Sequence, residues 1–216
     1  MSKAPEGSVD GPWDHGEFTI TCSRRPRPDL RAHFWSLYEE SFGPLRVRAA
    51  ARQVLTEDEF AAELDNPRVW KYVALDAQGG LAGLTTLTDD VATMPWISPH
   101  YFEHHYPDEW HRQAVFYVGV TLVRPDMRRD HVFTMMAKHV GNRVAAARGV
   151  IGYDICGYND QNRSLGRVTA RIRNRLADFE VRTVDVQTYY VARAIGTPEQ
   201  KDERRIRRMK AGKSRE

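Results

Sequence analysis

Residues 115–140 read VFYVGVTLVRPDMRRDHVFTMMAKHV, and the reading of this stretch decides the fold. Its first part, Val115–Val123, is an almost unbroken apolar and β-branched run, the pattern of a buried central strand. Pro125 and Asp126 end that strand, because proline has no N–H to give to a sheet ladder. Val132, Met135, Met136, Val140 and Val144 then recur at helical spacing and make one apolar stripe that faces a core. Between strand and helix stand Arg128, Arg129, Asp130 and His131. A helix N-terminus offers free backbone N–H groups and the positive end of the helix dipole, which suit a phosphate. Arginine adds a permanent charge and a forked donor for phosphate oxygens.

Working outward, residues 18–22 alternate Phe18, Ile20 and Cys22 against two threonines, as in a first strand. Pro28 and Asp29 open a helix carrying Leu30, Phe34, Trp35, Leu37 and Tyr38, which Gly43-Pro44 closes. Residues 47–64 read as a second helical region, where Thr56 and Glu59 form a capping box ahead of Phe60 and Leu64. Residues 69–75 and 81–87 flank a glycine-containing turn and predict a hairpin. Beyond the central helix, residues 150–158 predict a strand with Asp154, Cys156 and Tyr158 on one face. Residues 164–176 predict a helix with Arg163, Arg167, Arg171 and Arg175 along one side. Residues 181–191 supply the last strand or strands.

Residues 89–113 interrupt this order with prolines, aromatics and four histidines and no clear period. Their aromatic content argues against disorder. The segment is expected to wall the acceptor side of a cleft; a packed insertion or a homodimer contact is the other reading. His100, His104, His105 and His111 show no specific ligand signature, so no metal is expected. Cys22 and Cys156, far apart in sequence, define no disulfide framework.

The net charge of +3 is unevenly placed. Residues 201–216 hold eight basic side chains against three acidic ones, a net of +5, which leaves −2 for residues 1–200. The basic excess belongs to a tail, which reads as a solvated end, with a nucleic-acid or acidic-partner contact as the lesser reading. Along Arg163–Arg175 no aromatics interleave, so nucleic acid is a remote partner there too. No run approaches the roughly 18 apolar residues of a membrane helix, and the N-terminus has no secretory centre, so a cytoplasmic location without membrane contact is expected. Residues 1–16 read as a flexible arm, 17–195 as the domain and 196–216 as the basic tail.

The central stretch resembles the acyl-coenzyme A loop of the GNAT superfamily of N-acyltransferases, in which a strand, Val-x-Pro and an Arg-Gly-x-Gly-x-Gly/Ala turn open a helix. Val123, Pro125 and Arg128 match; Arg129, His131 and Phe133 take the glycine positions. The resemblance implies a mixed α/β (α+β) fold whose two central strands splay apart, with helices on either side. It also implies an acyl-coenzyme A donor, or a phosphopantetheine thioester on an acyl carrier protein, and a small amine as acceptor. The donor would be held by the backbone of residues 129–133, among them Asp130 and Val132, and by Asn159, which matches an asparagine common there in the family. In some relatives a glutamate eleven residues before the loop arginine is the base, and Tyr117 stands there in this chain. Many relatives carry a general-acid tyrosine on the helix after the splayed strand, and residues 164–176 contain none. Tyr158, Asp154, Cys156 and His111 are the replacement candidates for the acid and base, beside Tyr117 itself. A binding protein that kept the fold and lost the chemistry is the alternative.

Overall fold

The computed structural model describes residues 9–25, 27–129, 131–163, 179–194 and 203, with Arg128, Arg129, Asn162 and Arg163 described in backbone only. The chain divides into two compact units, Met1–Arg182 and Thr183–Glu216, and the sheet with its helices lies in the first. No helix among the described residues is long and apolar enough to cross a membrane.

Six strands form one sheet in sequential order: β1 (Asp10–Asp14), β2 (Phe18–Ser23), β3 (Val69–Asp76), β4 (Leu81–Thr88), β5 (Val115–Val123) and β6 (Val150–Gly152). All neighbours are antiparallel except β5 and β6, which are parallel. The expected hairpin is β3–β4, and Gly79 has the positive φ of 79° that its turn demands.

Helices cover both faces. On one, α1 (Arg31–Phe42) and α2 (Glu57–Asp65) bury Phe34, Leu37, Tyr38, Phe60 and Leu64 against Val73, Leu84, Val120 and Leu122 of the sheet. On the other, α5 (Val132–Ala146) lays Val132, Met136, Val140 and Val144 onto Tyr72, Ala74, Ala82, Leu87 and Phe116. Full burial of each such aliphatic side chain is worth roughly 1.5–3 kcal/mol, so the stripe read from the sequence is what fixes α5 to the sheet. The capping box at α2 is formed on both sides: the Glu59 N–H donates to Thr56 Oγ1 and the Thr56 N–H donates to Glu59 Oε2. Residues 48–56 are not helical, so the second helical region is shorter than its apolar pattern predicted.

Three more expectations are corrected. The first concerns the flexible arm, which contains β1: Trp13 pairs with Ile20 and stacks on His139 of α5 at 4.0 Å. Gly11-Pro12 masked this strand in the sequence, yet an edge strand tolerates proline. The second is the strand over residues 150–158, which stops at Gly152. Residues 153–156 have no regular structure and α6 (Gly157–Arg163) follows. The third is the strand over residues 181–191, which is absent although the residues are described. Its β-branched alternation is present, but no ladder forms on it. Residues 89–113 fold into two short helices, α3 (Pro99–His105) and α4 (Pro107–His111), each opened by a proline at its first turn. The predicted helix at 164–176 with Arg167, Arg171 and Arg175, and the basic tail apart from Glu203, lie outside the described residues, while the backbone of Arg163 ends α6.

Candidate active site

The site is a fork in the sheet. β6 pairs with β5 at only three positions, Val115 with Val150, Phe116 with Ile151 and Tyr117 with Gly152. Past Tyr117 the partner strand leaves, so residues 118–123 of β5 are laddered by β4 alone. The Arg124 N–H reaches Ala82 O on the β4 side, and the Val120 N–H points the same way to Thr86 Oγ1. Strand alternation therefore turns the Thr121 and Val123 backbone toward the opposite, open edge. A Cβ on Gly152 would lie 2.7 Å from the Tyr117 ring, so only glycine lets β6 come this close before it turns away. The Tyr117 hydroxyl then donates to Asp154 Oδ1 at 2.8 Å and ties the departing chain to the fork.

A bulge lies beside the fork. Register runs Thr85 with Thr121 and then Leu87 with Val118, which places one extra residue on β5. The bulge puts Gly119 and Val120 on the same face, with Tyr117 and Leu122, toward α1 and α2. There stands a side chain that the spacing of apolar residues did not single out. Glu63, in the last turn of α2, reaches the bulge, where a Cβ on Gly119 would be 2.4 Å from its Oε1. The Thr86 hydroxyl accepts the Val120 N–H at 2.8 Å and donates to Glu63 Oε1 at 2.6 Å. Burial raises the Glu63 carboxyl above the usual carboxylate range, while the Thr86 hydrogen bond and the positive charge of Lys71 pull it the other way. Lys71 is only 1% exposed. Its Nζ donates to Arg24 O at 2.7 Å and to Asn66 O at 2.8 Å, which pins the C-terminal end of α2. Burial pushes its pKa down to about 8. A sequence signal for Glu63 exists: it sits three residues after Phe60 and one before Leu64, so an acid flanks the inward pair.

The loop before α5 keeps the shape that glycine serves elsewhere. His131 caps the helix with φ 63° and ψ 13°, the left-handed region, and its side chain makes no capping hydrogen bond. The Met135 N–H is bonded to His131 O, as in regular helix, so the amides of Val132, Phe133 and Thr134 precede the first helical bond and remain available to a ligand. The Val132 side chain is fully buried, so only its backbone can serve the loop. Arg124 is engaged by Asp76 and Asp126, both at 2.8 Å. Asp130 and the side chains of Arg128 and Arg129 lie outside the described residues.

The other sequence candidates are distributed as follows. Tyr117 and Asp154 are brought together. Burial and the neighbouring Asp154 carboxylate hold the Tyr117 hydroxyl far above the ordinary tyrosine range, which favours its protonated form. Cys156 and Tyr158 pack on the α1/α2 side of the sheet, with Arg48 5.4 Å from the Tyr158 ring centre. Asn159 lies in the first turn of α6. His111 sits on α4 with Nδ1 2.6 Å from Pro107 O, an intrahelical contact that occupies that nitrogen. The 89–113 segment packs against the fork itself: Phe102 meets the Tyr117 ring edge-on at 6.3 Å, in a cluster with Met94 and Val115.

No protein-family profile matches the chain, and no curated protein matches it in sequence. Solved structures do match. A predicted acetyltransferase with acetyl-CoA from Clostridium acetobutylicum is 12% identical, with a TM-score of 0.50 over 80% of this chain and 96% of that one. An aminoglycoside acetyltransferase from an uncultured soil metagenomic sample, in complex with sisomicin, is 12% identical, with a TM-score of 0.47 over 82% and 97%. A GCN5-related N-acetyltransferase from Kribbella flavida is 15% identical, with a TM-score of 0.45 over 74% and 81%. What the chain shares with the first of these, at such identity, is its fold.

Proposed function

We propose that this chain, which has the GNAT fold, transfers an acyl group from a coenzyme A thioester to the amine of a small acceptor. The observation that carries this reading is the fork: one strand edge is left open beside a bulge, and a helix N-terminus with its amides free stands at the end of the same strand. The Thr121 and Val123 backbone on the open edge would hydrogen-bond the pantetheine arm. The amides of residues 132–134 would receive the pyrophosphate at the positive end of the α5 dipole. His131 fits this role by keeping the left-handed turn, although its ring narrows the approach that a glycine would leave open. Tyr117, Trp96 and the 89–113 helices would wall the acceptor side, where Trp96 is 46% exposed.

Thermal unfolding of the whole chain with acetyl-, butyryl- and octanoyl-coenzyme A tests the donor site. A ligand specific for the native state adds about 2.7 kcal/mol of stability at a hundred times its Kd, so a clear rise in Tm is expected with at least one thioester. A flat response to all three would favour the second reading, a binding protein that kept the fold and lost the chemistry. His131 and Phe133 in glycine positions are what motivates that alternative.

A further inference from the structure

We propose that Glu63, delivered to the central strand by α2, is the base that takes the proton of a primary amine acceptor. This rests on the acyl-transfer reading and adds to it a residue outside the loop and strand pattern that identifies the fold.

Three observations converge on Glu63. Its Oε1 is fixed by the Thr86 hydroxyl, whose own acceptor lone pair is used by the Val120 N–H, so the carboxylate is keyed to the bulge. The one hydrogen bond its carboxylate makes among the described residues is through Oε1, and the residue is half-buried, which leaves Oε2 for a ligand. Position 119 is glycine, and any side chain there would meet the carboxylate; the strand gives up a side chain so that the acid can approach its backbone. The capping box at one end of α2 and Lys71 at the other hold the helix that carries it. Tyr117, two residues along the same face of β5, already donates its hydroxyl to Asp154 Oδ1.

The step balances as follows. An amine arrives as its ammonium ion and passes one proton to Glu63 Oε2, which makes the carboxyl neutral and frees the nitrogen lone pair. That pair attacks the thioester carbonyl carbon; the C–N bond forms and the C–S bond breaks. The second proton lost from nitrogen ends on the departing thiolate, and Glu63 returns its proton to solvent. A carboxyl raised by burial suits this task, because a base works best with a pKa near the working pH. The charge and the single free oxygen select a primary ammonium over a hydroxyl acceptor.

The test uses the full chain with acetyl-coenzyme A and three primary amines, a polyamine, an aminoglycoside and an amino acid ester, with thiol release as readout. Glu63→Gln should keep the coenzyme-induced rise in Tm, lose roughly 100-fold or more in kcat and lose the rising limb of the pH profile. Glu63→Asp should recover part of the rate. Thr86→Val should keep the limb but move it to higher pH, because the hydrogen bond that favours the ionised form is gone. Turnover by Glu63→Gln within threefold of the unsubstituted chain at every pH would overturn the proposal. A readout independent of the acceptor is carbon-13 NMR titration of glutamate carboxyls, with Glu63→Gln for identification. Glu63 should titrate above the ordinary range of about 4.3, and an ordinary value would overturn the proposal. Failure of the donor reading looks different: the unsubstituted chain itself shows no Tm rise with any thioester.

Discussion

Replacing His131 with glycine should stabilise the protein, and the size of the gain follows from one backbone angle. His131 sits at φ 63° and ψ 13°. A side chain in that region costs roughly 1–2 kcal/mol because Cβ crowds the following carbonyl. Glycine escapes this crowding but loses more chain entropy on folding, roughly 0.5–1 kcal/mol. The net expectation is a gain of about 0.5–1 kcal/mol for His131→Gly. His131→Ala is the control that keeps the Cβ and the penalty with it, so glycine should exceed alanine by the same margin, about 0.5–1 kcal/mol. For a chain of this size, 1 kcal/mol corresponds to about 2–4 °C in Tm. Urea unfolding followed by the fluorescence of the five tryptophans measures the difference. The same substitution removes the imidazole from the approach to the α5 amides, so the Tm rise caused by acetyl-coenzyme A should grow. A His131→Gly protein no more stable than His131→Ala would refute the left-handed cap. A coenzyme response that shrinks would refute the phosphate site built on it.

Other perturbations probe the frame of the fork. Gly152→Ala places a methyl 2.7 Å from the Tyr117 ring and should cost about 1–3 kcal/mol, read as a lower urea midpoint; unchanged stability would mean β6 does not approach so closely. Tyr117→Phe removes the hydrogen bond to Asp154 and should cost roughly 1 kcal/mol while coenzyme binding persists, as checked by urea unfolding with and without ligand. Lys71 makes stability depend on pH. Its pKa is lowered on folding to about 8, so between that value and its unfolded value the unfolded chain binds the extra proton and stability rises with pH. Relative to Lys71→Met, the unsubstituted chain should gain roughly 3 kcal/mol across that window, and a difference independent of pH would show that the ammonium is not buried.

Much of the frame was legible because its signals are local. The β5–loop–α5 stretch, the β3–β4 hairpin and the Thr56–Glu59 capping box each depend on residues a few positions apart, whose spacing selects strand, turn or helix whatever else the chain does. The proline in β1 hid an edge strand, since nothing in residues 10–14 reveals that β2 and His139 will lie beside them. Residues 150–158 carried a valid β pattern, yet only three of them pair with β5, and Asp154 bonds the Tyr117 side chain instead of extending the ladder.

The sequence by itself determined β2, α1, the β3–β4 hairpin and the β5–turn–α5 unit, with the apolar faces of each. Only the tertiary structure brought Glu63 of α2, Thr86 of β4 and the bulge of β5 to one point. The reason is physical. Periodicity records which side of an element is apolar, whereas a carboxylate lodged against a distant backbone is set by how three elements pack, and no spacing along the chain encodes that distance.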